Sequence, residues 1–224
     1  MIEIYLDTAD VEQVKRLAKC IPLQGITTNP TILANSERGV HQSLSELREV
    51  LGDPACFHVQ VISRSAEDMV TEALKLAQLP YNIVVKIPAT EQGLIAIREL
   101  KKQQIKVLAT VIYTVQQGLT AALCGADYLA PYVNRIDTIG SDGLRTVADL
   151  QALLDQYELP SQILAASFKS VQQVVGVMKI GVAAVTLPVN VAEQLFNHPV
   201  IETTVDQFNQ DWKQTFGEKL SFET

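Results

Sequence analysis

The sequence predicts a single closed (β/α)8 barrel, a TIM barrel, carrying one extra helix at its C-terminal end. Three observations lead there. Eight short apolar runs alternate with eight stretches of helical period, at a repeat of about 25 residues. No glycine-rich phosphate turn follows the first run, where Asp7-Thr8-Ala9-Asp10 stands, so an open doubly wound sheet is disfavoured. No linker, low-complexity segment or long charge run divides the chain, so residues 1–224 read as one domain.

Residues 2–7 form the first strand. The helix after it, 10–20, opens on Asp10 with Gln13 three positions on, the spacing of a capping box. Strand 25–29 and helix 40–51 follow, then strand 56–62 and helix 66–79, whose Met69, Ala73 and Ala77 share a face. Strand 83–87 contains Lys86 and precedes helix 92–103. Strand 106–113 leads into a helix capped by Thr114 and reaching Cys124, and strand 128–133 follows. A Gly140-Ser141-Asp142-Gly143 loop introduces helix 144–157; strand 162–167, helix 170–180, strand 183–187 and a short helix 188–196 complete the barrel. Beyond it, residues 200–216 read as a helix with Val205, Phe208 and Trp212 in one stripe, facing either its own barrel or a neighbouring subunit.

Composition narrows the function. A formal charge of -7 without a basic cluster argues against nucleic acid and anionic membrane as partners. Cys20, Cys56 and Cys124 are odd in number and dispersed, which favours a reducing cytoplasm over a disulfide framework. The polar opening Met1-Ile2-Glu3-Ile4 is unlike a signal peptide, and no apolar run is long enough to span a membrane. His41, His58 and His198 have no ligand spacing, so neither a metal nor a cofactor is expected.

Lys86 is the residue that asks for an explanation. It sits in Asn82-Ile83-Val84-Val85-Lys86-Ile87-Pro88, a run that otherwise reads as buried. A buried ammonium must be paired or lose its proton, and a neutral amine is a nucleophile toward carbonyl groups. The alternative, a solvent-facing edge lysine, loses ground in a barrel, which has no edge strand. Barrel enzymes draw their catalytic groups from the C-terminal ends of several strands. Those ends here offer Asp7, Thr27, Asn29, Gln60, Lys86, Thr110, Tyr132, Arg135, Ser167, Lys169 and Thr186. Each has an ordinary reading alone: Asp7 as a helix cap, Arg135 paired with Asp137, Lys169 in solvent. Together they point to Schiff-base carbon–carbon chemistry. Tyr132 serves as acid/base, Gln60 and Thr110 hold a water, and Arg135, Ser167 and Lys169 form an anion-binding rim. A pyridoxal-phosphate barrel and a non-catalytic sugar-phosphate sensor are the readings from other classes.

The blocks Tyr5-Leu6-Asp7-Thr8, Gly25-Ile26-Thr27-Thr28-Asn29-Pro30, Ile83-Val84-Val85-Lys86-Ile87-Pro88, Ala130-Pro131-Tyr132-Val133-Asn134-Arg135-Ile136-Asp137 and Leu164-Ala165-Ala166-Ser167-Phe168-Lys169 occur in order along the chain. In these the sequence resembles the small transaldolase-like enzymes, most closely the bacterial fructose-6-phosphate aldolases. The resemblance implies a metal-independent class I aldolase that cleaves fructose 6-phosphate to dihydroxyacetone and glyceraldehyde 3-phosphate, with transaldolase as the alternative. It implies Lys86 as the Schiff-base residue, Tyr132 as acid/base and a water on Gln60 and Thr110. Asp7, Thr27 and Asn29 are then donor contacts, and Arg135 and Ser167 phosphate contacts. It also implies a homo-oligomeric ring, decameric or pentamer-based, with residues 200–216 at an interface. The glutamine at 60 and tyrosine at 132 resemble the aldolase branch; transaldolases typically carry glutamate and phenylalanine there. His58 departs from the pattern, where phenylalanine is usual, and its strand parity faces it into the barrel.

Overall fold

A computed structural model describes residues 2–224. Eight strands pair in sequence order, all parallel: β1 (Glu3–Asp7), β2 (Leu23–Thr27), β3 (Cys56–Gln60), β4 (Asn82–Pro88), β5 (Val107–Ile112), β6 (Tyr128–Pro131), β7 (Gln162–Ala165) and β8 (Ala184–Leu187). β8 returns to β1 through Tyr5↔Thr186 and its neighbours, which closes the barrel. Around it run α1 (Val11–Leu17), α2 (Pro30–Asn35), α3 (Val40–Leu51), α4 (Ala66–Ala77), α5 (Glu91–Lys102), α6 (Val115–Leu123), α7 (Val133–Thr138), α8 (Gly143–Gln156), α9 (Val171–Ile180) and α10 (Val189–Ala192), with α11 (Ile201–Phe216) following.

The alternation of each strand sorts its side chains into two cores. Outward residues such as Leu6, Ile26, Val59, Val85, Ile87 and Ala109 pack under the helices against Leu44, Leu47, Met69, Ile97, Leu100 and Leu150. Inward residues Tyr5, Val84, Leu108, Ala130, Leu164 and Ala184 fill the barrel itself. Helix starts follow the chemistry of the sequence. Asp10, Ser65, Thr90, Thr114, Asp142 and Ser170 each accept a backbone N–H from three residues on, satisfying a donor that the helix cannot. At Gly25 a side chain has no room, because a Cβ would lie 1.8 Å from the Cys56 carbonyl oxygen. That close approach seats β2 on β3 just below Thr27.

The structure departs from the sequence expectation mainly at the strand ends. β2 stops at Thr27 because Asn29 leaves the sheet to cap α2, accepting Ile32 N–H at 3.0 Å. β6 stops at Pro131 because Val133 already begins α7. Both of these helices are six residues long, too short to leave a periodic signature. The stretch expected as one helix over 188–196 divides into α10 and a 3-10 turn at Glu193–Leu195. α11 buries no residue. Val205 and Phe208 are 45% and 65% exposed, and Trp212 is half-buried against Phe216 in its own helix, its indole donating to the Lys219 carbonyl at 2.7 Å. Packing of the stripe on its own barrel, one of the two expected roles, is therefore not what the structure has.

Candidate active site

At the C-terminal mouth of the barrel a cavity of about 100 Å³ is lined by Asp7, Thr27, Asn29, Lys86, Tyr132, Arg135, Ser167 and Thr186, above a floor of Leu108, Ala130, Leu164 and Ala166. These polar side chains come from β1, β2, β4, β8 and the segments after β2, β6 and β7. Lys86 is the deepest cation, 5% exposed. Its Nζ donates to the Thr28 carbonyl oxygen at 2.6 Å, and no carboxylate among the described residues forms an ion pair with it. Burial pulls its pKa below the ordinary lysine value of 10.5, against a smaller opposing pull from Asp7. The site thus favours the uncharged amine more than water does.

Thr110, on the β5 strand that pairs with the Lys86 strand, and Tyr132, after β6, share a hydrogen bond of 2.9 Å between their hydroxyls. Burial raises the Tyr132 pKa, while the Thr110 bond and the Arg135 charge pull it back. The Arg135 guanidinium lies 4.9 Å from the Tyr132 ring centre and reaches the Tyr113 hydroxyl at 3.4 Å. The Tyr113 bond raises the Arg135 pKa further, against a smaller opposing effect of partial burial, so the rim carries a positive charge over a protonated phenol.

On the opposite wall Thr27 donates to Asp7 Oδ1 at 2.7 Å and its hydroxyl lies 2.7 Å from that of Thr186. The three form a continuous polar ledge over β1, β2 and β8. Ser167 follows β7 with a left-handed backbone, φ 63°, and its carbonyl accepts Asn134 N–H at 2.7 Å. Two expected residues lie apart from this group. Gln60 pairs in register with Lys86, yet its side chain lines a neighbouring concavity of about 520 Å³ with Pro30, Arg64, Pro88 and Thr90. Lys169 is exposed and outside the cavity lining, its backbone N–H held by Gln173.

One layer down, His58 is fully buried, edge-on to the Tyr5 and Tyr128 rings at 4.9 and 5.6 Å. Its Nε2 lies 3.6 Å from Cys56 Sγ and its Nδ1 has no hydrogen-bond partner among the described residues. Burial, helped by the Lys86 charge, lowers its pKa to about 3, so the imidazole is neutral. It faces the barrel interior as its parity predicts.

Three contributions were not legible from residue identities. The Thr28 carbonyl that receives Lys86 is backbone, which any residue supplies. Tyr113 reaches Arg135 only because β5 ends beside α7. The role of Thr186 was weakly signalled by its place at a strand end, and the Thr27 bond gives it one. No three His, Cys, Asp or Glu side chains among the described residues are placed to hold a metal ion.

In overall shape the chain is similar to flavocytochrome b2 in several solved forms. A variant with benzoylformate matches at TM-score 0.62 and 10% identity, over 96% of this chain and 64% of that one. A variant with bound sulfite matches at TM-score 0.60 and 11% identity, over 95% and 64%. The chain therefore spans 64% of the length of these proteins, and at such identity the likeness concerns the barrel alone. The sequence is more specific, since a family description for transaldolase/fructose-6-phosphate aldolase matches residues 4–223. A barrel of eight parallel strands with a buried lysine on the fourth, matched over nearly its whole length, belongs to the transaldolase/fructose-6-phosphate aldolase family.

Proposed function

We propose that the protein is a Schiff-base aldolase that reversibly cleaves fructose 6-phosphate to dihydroxyacetone and glyceraldehyde 3-phosphate, without a metal. The observation that carries this is the buried Lys86 amine, which lines a polar cavity with Tyr132, whose hydroxyl is paired with that of Thr110 on the neighbouring strand β5. The neutral amine adds to the C2 carbonyl, and loss of water gives an iminium that draws electrons from the C3–C4 bond. As that bond breaks, the C4 hydroxyl proton leaves and the aldehyde departs, leaving an enamine. Tyr132 exchanges this proton and returns one to C3, with Thr110 orienting its hydroxyl. Hydrolysis of the resulting iminium then frees dihydroxyacetone and Lys86. Asp7, Thr27 and Asn29 bind the donor hydroxyls, and Arg135 and Ser167 hold the phosphate. Lys169 would reach that phosphate only by swinging inward.

A second reading has its own support. Gln60, the expected partner of Thr110 in holding a water between Tyr132 and the reacting carbon, lines the adjacent concavity. Slow protonation at C3 would keep the enamine waiting for an acceptor aldehyde, which is transaldolase chemistry. The two activities separate in an assay without acceptor: sustained release of both products identifies the aldolase, and a single stoichiometric burst of glyceraldehyde 3-phosphate with the donor retained on the enzyme identifies the transferase.

Borohydride reduction in the presence of dihydroxyacetone, followed by peptide mass mapping, tests the shared core. The donor mass is expected on Lys86 and is expected to vanish in Lys86→Met; labelling elsewhere, or none, overturns the reading. Tyr132→Phe should still trap the donor while cleavage falls by about 100-fold or more. We further infer a cytoplasmic homo-oligomer, a pentamer-based ring or decamer, in which the exposed stripe of α11 lies between subunits.

A further inference from the structure

The end of β5 departs from strand geometry at one residue. Leu108 and Thr110 face the barrel interior and Ala109 faces the helices, as alternation requires. Continued alternation would turn Ile112 inward at the cavity mouth. Instead Ile112 is fully buried in the outer core with Ala109. The register explains the change, because Ala109↔Leu129 is followed by Ile112↔Pro131, three steps on β5 against two on β6. Val111 is the extra residue of a bulge, and its φ is 62°. A left-handed backbone is costly for a β-branched side chain, and such outliers persist where the surroundings hold them in place.

What the bulge holds is the start of α7. Tyr132 is the N-cap of that helix, and no side chain caps it. Its first amides are taken from outside instead. Tyr132 N–H donates to the Ile112 carbonyl at 3.0 Å, Val133 N–H to Ala166 at 2.9 Å and Asn134 N–H to Ser167 at 2.7 Å. The residue before Ile112 and the last of these acceptors are both left-handed. β5 therefore grips Tyr132 twice, by the Ile112 carbonyl at its backbone and by the Thr110 hydroxyl at its phenol, and Val111 lies between the two grips.

We propose that Val111 is a positioning residue for proton transfer at this site: its left-handed backbone turns β5 so that Thr110 and Ile112 hold Tyr132 from two sides. The proposal rests on the Schiff-base reading for its kinetic consequence, though the geometry of the grip does not depend on it. The required feature is the backbone and not the valine side chain. Glycine takes this conformation freely, alanine bears its cost, and proline forbids it.

The test compares Val111→Gly, Val111→Ala and Val111→Pro. Val111→Gly should keep kcat within about threefold of the parent, whereas Val111→Pro should lose about 100-fold in kcat with KM little changed. In Val111→Pro, borohydride should still trap dihydroxyacetone on Lys86, and the pH profile of cleavage should lose the limb that Tyr132→Phe also removes. Parental turnover in Val111→Pro overturns the proposal, as does an equal loss in Val111→Gly. Should Val111→Pro not fold, thermal midpoints decide. Relief of left-handed strain favours glycine, while the missing β-carbon and the looser unfolded chain favour alanine. A Val111→Gly midpoint level with or above that of Val111→Ala therefore supports the left-handed backbone, and a clearly lower one overturns it. Thr110→Val and Tyr132→Phe should also shift the midpoint non-additively in the parent and in Val111→Gly; additive shifts overturn the grip. These melting measurements need no catalysis. A parent that fails to trap the donor would therefore sink the aldolase reading and leave this one to be judged separately.

Discussion

At the scale of single residues the barrel interior has two buried nitrogens with opposite histories. Lys86 keeps a hydrogen bond and opens on the cavity, while His58 beneath it has a ring nitrogen with no partner among the described residues. The depressed His58 pKa has a consequence for folding. In the unfolded chain a histidine takes up a proton near pH 6.5, but the folded one resists until about pH 3. Between those values the unfolded state binds more protons, so stability falls as the pH drops from 6.5 toward 3. At about 1.4 kcal/mol per pKa unit the full effect is roughly 5 kcal/mol. His58→Phe removes it together with the orphaned nitrogen. Denaturant unfolding of the variant and parent across this range should give an advantage to the variant that grows as the pH falls. A constant difference would mean that His58 is solvated or already paired. The inward direction of His58 followed from strand parity, because alternation is fixed by backbone geometry. Its missing partner did not, because satisfaction of a buried group depends on atoms from other strands.

At the scale of elements the strands were legible and the short helices were not. An apolar run of five residues with turn chemistry on either side identifies a strand, and capping residues such as Asp10 and Thr114 mark the helices that follow. α2 and α7 carry only six residues each, and they border the cavity because tertiary contacts, not local periodicity, form them. Hence Asn29 and Arg135, expected at strand ends, line the cavity from short helices that leave no periodic signal. Close approach of strands is likewise invisible until pairing is known. Gly25→Ala would push a methyl into the Cys56 carbonyl and separate β2 from β3. A loss of about 3 kcal/mol or more is expected in urea unfolding. Gly39→Ala, where nothing lies within 4 Å of the added carbon, is the control and should be near neutral.

For the whole molecule, the eightfold alternation gave the closed barrel, since each parallel strand needs a crossover and the last must return to the first. The pattern could not place α11, because its apolar stripe suits a neighbour as well as its own barrel. The structure leaves that stripe uncovered: Val205 and Phe208 face solvent and no residue of the helix is buried. Removing residues 201–224 should therefore leave the barrel folded, with its circular dichroism melt nearly unchanged. Sedimentation should then show a smaller species than the full chain forms. A truncated chain that unfolds would place the helix in the fold, and one that keeps its assembly state would remove it from the interface.

The closed sheet has one more implication. With every strand hydrogen-bonded on both sides, the barrel presents no free backbone ladder among the described residues for another chain to extend. The chain's exposed aromatic surface is the C-terminal segment instead, with Phe208 and Phe216 on α11 and Phe222 in a 3-10 turn beyond it. Folded copies that stick together are therefore expected to meet side chain against side chain, a contact that dilution or mild detergent should reverse. It is not the templated strand growth that an open sheet of the same size would risk.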